Sequence, residues 1–245
     1  MIHCVICIDD TDNLDSIGTG EHADIIVSKI LENQWGTASR VTRHQLFVHE
    51  DIPYTSHNSS MCFEAHIKTE VLDELTVYIE DYLKANHAEG SDPGVCIVNL
   101  NEFKEVDSLI AFGQKAKKQV LTKEEAYEFA RMHDIHLSEH GCTGLGVIGS
   151  LAGAGLRLSG NDGRFRGKMK LDVEHMSVAD LKKLSIIDDV QKIDGLSLAD
   201  EDLVDVRGNV KTVYLNHQSI LLVTETGAAT EVRWKMIQKE RLKNY

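Results

Sequence analysis

Proline is scarce, with two residues in 245, and no low-complexity tract is present, which argues against long disordered linkers. No apolar run approaches the roughly 18 residues of a membrane span. The N-terminus lacks a basic region followed by an apolar one, so the chain is expected to be cytoplasmic and free of the membrane. Positive charge is also short: 26 Lys and Arg stand against 39 Asp and Glu, a net charge of -13. Such a surface repels phosphate backbones, so nucleic-acid binding would need a local basic patch or a partner. Five cysteines, at 4, 7, 62, 96 and 142, are too few for a disulfide framework in a chain of this size. Cys4 and Cys7 have CxxC spacing but point to opposite faces of a strand, and no second pair completes a zinc site. They read as reduced thiols in or near the core. The remaining composition, 42% apolar and 27% charged, is that of a globular protein with a sizeable core.

The hydrophobic pattern gives an order of elements. Residues 2–8 read as a buried strand, Glu21 to Asn33 as an amphipathic helix, Val41 to Val48 as a strand, and Met61 to Lys68 as an alternating strand. Glu70 to Asn86 is a second helix and Val95 to Leu100 a further strand. This β-α-β-β-α-β order is that of the ferredoxin-like, split β-α-β unit. The expected fold class is therefore α+β, with a ferredoxin-like first half over residues 1–105. A second α+β half over 106–245 has antiparallel or mixed sheets. That half opens with a helix over Ser108 to Val120 and a capping box at Thr122 to Glu125. A glycine-rich stretch, Gly141 to Leu156, follows. The chain then becomes β-rich, with strands at Leu203 to Val206, Lys211 to Leu215 and Ser219 to Thr224. A basic helix is expected over Arg233 to Lys243.

Three groups of residues could carry chemistry. Asp9-Asp10-Thr11-Asp12 closes the first strand, ahead of the turn Gly18-Thr19-Gly20. Carboxylates at the end of a buried strand must be hydrated, hydrogen-bonded or neutralised. A solvated turn satisfies that requirement; so does Mg2+ held by carboxylates and substrate phosphates. Gly144 to Gly149 matches GxGxxG, but His136 to His140 is too polar and short to be the strand a dinucleotide fingerprint needs. Gly149, Gly153 and Gly155 suit close helix packing, while Gly141 to Gly146 suits a phosphate-binding loop at a helix N-terminus. Asn161-Asp162-Gly163 is a turn signal, followed by Arg164 and Arg166. Those arginines either face solvent or clamp a nucleotide phosphate. The polar segment Pro53 to Ser60 reads as an exposed loop.

Ile8-Asp-Asp-Thr-Asp12, the following Gly-Thr turn, and Gly146-Val-Ile-Gly-Ser-Leu-Ala152 together resemble the archaeal agmatidine synthetases that modify the wobble cytidine of an isoleucine tRNA. The resemblance implies a kinase-like domain that binds ATP and magnesium, beside a ferredoxin-like domain. It also implies phosphorylation of the cytosine carbonyl oxygen, followed by displacement by agmatine. OB-fold and zinc-ribbon domains, which hold the tRNA in that family, have no counterpart expected in these 245 residues. Under the resemblance Asp9, Asp10 and Asp12 are metal ligands and catalytic groups. Thr19 is the nearest match to a phosphorylated threonine. Read from the residues themselves, Thr11, Gly18, Gly20, Gly141, Thr143, Gly144 and Gly146 are the expected nucleotide contacts, with Arg164 or Arg166 offsetting developing charge. The expected activity is ATP- and Mg2+-dependent phosphoryl transfer to an oxygen of a small substrate. Two other readings stand beside it: a tRNA-modifying catalytic subunit that takes its RNA grip from a partner, and a nucleotide-binding regulatory module without turnover. The pattern leaves room for an oligomer.

Overall fold

The computed structural model describes all residues except 54–56, 228–231 and 243–244, together with the side chains of 239 and 240. The chain divides into two compact units, Met1–Ser159 and Gly160–Tyr245. The expected boundary at 105 is therefore displaced. The physical reason is that the helices after residue 105 cover the second face of the first sheet.

Unit 1 runs β1 (Ile2–Asp9), α1 (Thr19–Glu32), β2 (Gly36–Ala38), β3 (Thr42–Gln45), β4 (Ser59–Ile67), α2 (Leu72–Asn86) and β5 (Gly94–Asn99). It continues with α3 (Val106–Ala116), α4 (Lys123–Met132), β6 (His136–Glu139) and α5 (Gly146–Leu158). β1 lies between β4 and β5, both antiparallel to it, with Cys7 opposite Cys62 on one side and Cys96 on the other. β2 and β3 pair in succession with the outer edge of β4, and β6 extends the far edge beyond β5. The order β5-β1-β4-β2/β3 is the ferredoxin-like arrangement expected from the pattern.

β1 is apolar without alternation because both faces are covered. Cys4, Ile6 and Ile8 pack with Ala23, Ile26 and Ile30 of α1 and Leu75, Ile79 and Leu83 of α2. Val5 and Cys7 pack on the opposite face with Val147, Leu151 and Ala154 of α5 and Leu109 of α3. The strand period of two thus sends Cys4 and Cys7 to different cores. All five cysteines are free; four are buried, and Cys142 is exposed rather than packed. The Thr122–Glu125 capping box forms as expected. No helix among the described residues is long and apolar enough to cross a membrane.

Unit 2 contains β7 (Arg164–Phe165), β8 (Met169–Lys170), β9 (His175–Ser177), α6 (Val178–Leu181), β10 (Asp189–Lys192), β11 (Leu203–Asp205), β12 (Asn209–Val210), β13 (Val213–Leu215), β14 (Gln218–Glu225) and β15 (Trp234–Met236). β14 pairs parallel to β10 and antiparallel to β13 and β15, so the sheet is mixed. Asn216 and His217, both at positive φ, make the two-residue turn between β13 and β14. The expected basic helix over Arg233 to Lys243 is not formed. Trp234 and Met236 alternate inward as a strand that packs with Leu221 and Val223, and only a short 3-10 turn, Lys239–Leu242, follows. Lys243 lies outside the described residues.

A Cβ on Gly155 would lie 2.0 Å from the backbone oxygen of Leu109. Gly155→Ala adds about 1 kcal/mol of helix propensity, yet the clash is with backbone that cannot swing away. The expected outcome in urea titration is net destabilisation, by roughly 1–3 kcal/mol. Gly195, at φ +84 with open space around it, should lose less on the same substitution, since only backbone strain is at stake.

Candidate active site

At the end of β1 the chain does not continue extended. Asp10 adopts φ +51, left-handed backbone that Asp tolerates better than most side chains. Two hydrogen bonds hold the kink: the amide of Asp92 donates to the Asp10 carbonyl at 3.0 Å, and the amide of Ala88 to the Thr11 carbonyl at 3.0 Å. Thr19, at the start of α1, donates its hydroxyl to Asp12 Oδ1 at 2.9 Å and accepts from the Thr11 amide at 3.5 Å. Gly18 caps that helix, and a Cβ there would stand 3.6 Å from Asp12 Oδ2. Gly20 is buried inside α1.

These residues open onto a cleft of about 800 Å³, open mouth included. Asp9, Asp10, Asp12 and Thr19 line it, and Leu46, Ile52, Val120, Leu121 and Ile148 supply its apolar lining. Gly146 and Gly149 of α5 line it as well. Asp51, His57, Asn58, Ser59 and Gln119 add polar groups, while no Lys or Arg is present among the described lining residues. Asp9 is only 8% exposed, and a Cβ on Gly149 would lie 1.7 Å from its Oδ2, so this carboxylate rests against the first turns of α5. Burial, then the neighbouring Asp10 and Asp12 charges, push Asp9 well above the usual carboxylate range. Burial, then the charges of Asp92 and Asp12, push Asp10 up to about 6.

The loop before α5 is arranged differently from expectation. The amides of Thr143 and Gly144 donate to Asp92 Oδ1 at 3.1 and 2.9 Å, and that of Leu145 to Oδ2 at 2.6 Å. The Thr143 hydroxyl donates to the same carboxylate. A protein carboxylate therefore takes the amides of the loop that was expected to seat a phosphate. Burial raises the Asp92 pKa, but these donors outweigh it and hold the group below its ordinary value. Thr143 and Gly144 are turned to Asp92, Gly141 packs against it, and Gly146 alone of the four expected loop residues reaches the cleft. β6 precedes this loop as a short antiparallel edge strand, which confirms that the GxGxxG match is not a dinucleotide fold.

Arg164 and Arg166 belong to unit 2 and are not among the described residues lining the cleft. Arg164 is buried in β7 with Nε unpaired, not solvated at a hairpin tip, and burial lowers its pKa. The segment Pro53 to Ser60, expected as an exposed loop, supplies Pro53, His57, Asn58 and Ser59 to the cleft; Tyr54, Thr55 and Ser56 lie outside the described residues. Its unusual polarity between two strands was the available signal.

No protein-family model matches the sequence, and no curated protein matches it. Solved structures do share its fold. The tRNA(Ile2) agmatidine synthetase TiaS without ligands has a TM-score of 0.54 at 23% identity, over 62% of this chain and 35% of that one. TiaS with tRNA(Ile2) and ATP has a TM-score of 0.57 at 22% identity, over 80% and 49%. A tRNA fluorescent labeling enzyme has a TM-score of 0.54 at 25% identity, over 62% and 36%. The chain spans about a third to a half of the length of these proteins.

In a metal-free buffer the raised Asp10 pKa has a stability consequence. The folded state holds a proton up to about pH 6, whereas the unfolded chain releases it near 3.8. The folded protein is therefore favoured by this group at low pH, and that contribution falls as pH rises to about 6. Asp10→Asn should melt higher than the parent above pH 6, with the difference shrinking toward pH 4; calorimetry with EDTA at several pH values reads this. What this chain shares with the TiaS structures is the fold.

Proposed function

We propose that this chain is an ATP- and Mg2+-dependent phosphoryl-transfer enzyme that activates an oxygen of a small substrate. The convergence of Asp9, Asp10 and Asp12 on one cleft, without a lining Lys or Arg among the described residues, is the observation that carries it. Such a wall repels phosphates unless a cation intervenes. The donor set fits Mg2+, which takes hard oxygen ligands and commonly one or two carboxylates plus phosphates. Among the described residues no three or more His, Cys, Asp or Glu side chains are placed to hold a metal ion together, so one or two of these carboxylates would be the protein ligands. Phosphate and water oxygens would therefore complete the coordination. Mg2+ bound there would neutralise charge on the phosphoryl group during transfer.

The remaining work falls to the chain's own groups. Thr19 orients Asp12 through its hydroxyl. The apolar lining of Leu46, Ile52, Val120, Leu121 and Ile148 would take the apolar body of a base and exclude water. Gly146 and Gly149 allow close approach to α5. Arg164 and Arg166, expected to offset developing charge, belong to unit 2 and are given no part in this reading. TiaS structures solved with ATP, and with AMPCPP and agmatine, support nucleotide binding on this fold.

Asp10→Asn retains the left-handed preference of the site while removing a charge. Titration calorimetry should show Mg-ATP binding lost in a variant that still folds; unchanged affinity would sink the metal assignment. Gly149→Ala should weaken binding by displacing the Asp9 carboxylate, again without loss of secondary structure by circular dichroism. Metal-dependent ATP consumption separates this enzyme from a nucleotide-binding module without turnover.

A tRNA-modifying subunit is the second reading, and charge distribution favours it. Residues 160–245 carry 14 Lys and Arg against 14 Asp and Glu, so the whole -13 resides in residues 1–159. Within unit 2, Lys168, Arg207 and Lys211 share one cleft. A tRNA gel shift that weakens steeply with salt would support it.

A further inference from the structure

We propose that Asp92 is the positioning residue of the acidic site, an internal carboxylate that locks the N-terminus of α5 and the kink at Asp10 into one rigid assembly. This rests on the metal reading of Asp9, Asp10 and Asp12 given above.

The geometry carries the claim. Asp92 is 7% exposed and sits on the turn that leads into β5. Its carboxylate accepts from the amides of Thr143, Gly144 and Leu145 and from the Thr143 hydroxyl, while its amide donates to the Asp10 carbonyl. One residue therefore holds both the loop into α5, the helix against which Asp9 rests, and the left-handed backbone of Asp10. α5 has no side-chain cap of its own at Leu145, and the amides of Leu145 and of the two loop residues before it are held by this distant carboxylate. Nothing else fits there: a Cβ on Gly141 would lie 2.1 Å from Asp92 Oδ1, and one on Gly146 would lie 2.1 Å from the Asp92 carbonyl oxygen. From the other side Lys123 fixes the loop, donating to the Thr143 carbonyl at 2.8 Å and to Glu139 at 3.0 Å. Asp92 is not among the described residues lining the cleft, so it acts through Asp10 and α5. Its carboxylate also takes the amides of Thr143, Gly144 and Leu145, so those three are not offered to a phosphate.

Chemical rescue tests the proposal. In Asp92→Ala three amides and a hydroxyl lose their acceptor, and formate is small enough to replace it. Mn2+ with ATP serves as the metal probe, read by the electron paramagnetic resonance of free Mn2+. Hydrogen exchange at the amides of residues 88 and 92 reads the kink without any metal. The expected result is a loss of Mn2+ affinity of about 10- to 100-fold, typical of removing a group that orients metal ligands. Exchange at residues 88 and 92 should accelerate, and formate should restore both in the variant while leaving the parent unchanged.

Parental Mn2+ affinity in folded Asp92→Ala would overturn the positioning role alone. Lost affinity without faster exchange, or without formate rescue, would overturn it too. Absence of Mn2+-ATP binding in the parent would overturn the metal reading beneath it. Should Asp92→Ala fail to fold even with formate, Thr143→Val decides. It removes one donor to Asp92, and unchanged affinity and exchange there would count against the proposal.

Discussion

The close approach of α5 to the strands beneath it is the constraint on which the rest of unit 1 depends. The backbones of Gly94 and Gly146 nearly touch, since a Cβ on Gly94 would lie 2.1 Å from the Gly146 carbonyl carbon. Gly149 meets Asp9, Gly153 meets Cys7 and Ser60, and Gly155 meets the backbone of α3. Glycine is a poor helix former, at about 1 kcal/mol per residue relative to alanine. A helix carrying glycine at 146, 149, 153 and 155 is therefore weak by itself and stable only when docked. Its burial on nearly all sides supplies what its propensity lacks. Docking, capping by Asp92 and formation of the acidic cleft are for this reason one event rather than three.

That arrangement settles an electrostatic question. A helix N-terminus attracts an anion through its free amides and its dipole. Here the amides of Thr143, Gly144 and Leu145, in the loop that leads into α5, face Asp92, so they compensate an internal carboxylate and are not offered to a ligand phosphate. Asp9 has a backbone hydrogen bond from Asp10 and rests against the first turns of α5, yet burial outweighs that bond and disfavours its charged form. Burying carboxylates that way is unfavourable for folding unless a cation is recruited, which is the physical link between the packing of α5 and the proposed metal.

Much of the fold was legible in the sequence because the signals are local. The unalternating apolar run at 2–8 marks a strand covered on both faces, and the Thr122–Glu125 spacing marks a cap. The three glycines at 149, 153 and 155 mark close packing. What was not legible depends on long-range partners. Asp92 looks like an ordinary turn residue, and only the fold brings it 51 residues along the chain to Thr143. The phosphate-loop reading of Gly141 to Gly146 rested on amides whose acceptor no local pattern reveals. The segment 233–243 alternates basic and apolar residues in a way compatible with helix or strand, and pairing with β14 and β11 decides for strand over Trp234–Met236. His57, Asn58 and Ser59 reach the cleft from a segment whose composition marks it only as a polar loop.

The kink at Asp10 explains why three carboxylates can share one cleft at all. In a continuing strand Asp9 and Asp10 would point to opposite faces. Left-handed backbone at Asp10 breaks the alternation, so Asp9, Asp10 and Asp12 all line the same space. Such backbone is strained for a non-glycine residue and persists where the surroundings over-determine it. Here the bonds from Asp92 and Ala88 to the carbonyls of Asp10 and Thr11 do so. The position thus makes two demands, tolerance of positive φ and a hard oxygen ligand. Glycine meets the first alone, glutamate the second alone, and asparagine the first with a weaker, neutral ligand. Aspartate satisfies both, which is the physical reason for that residue at the turn.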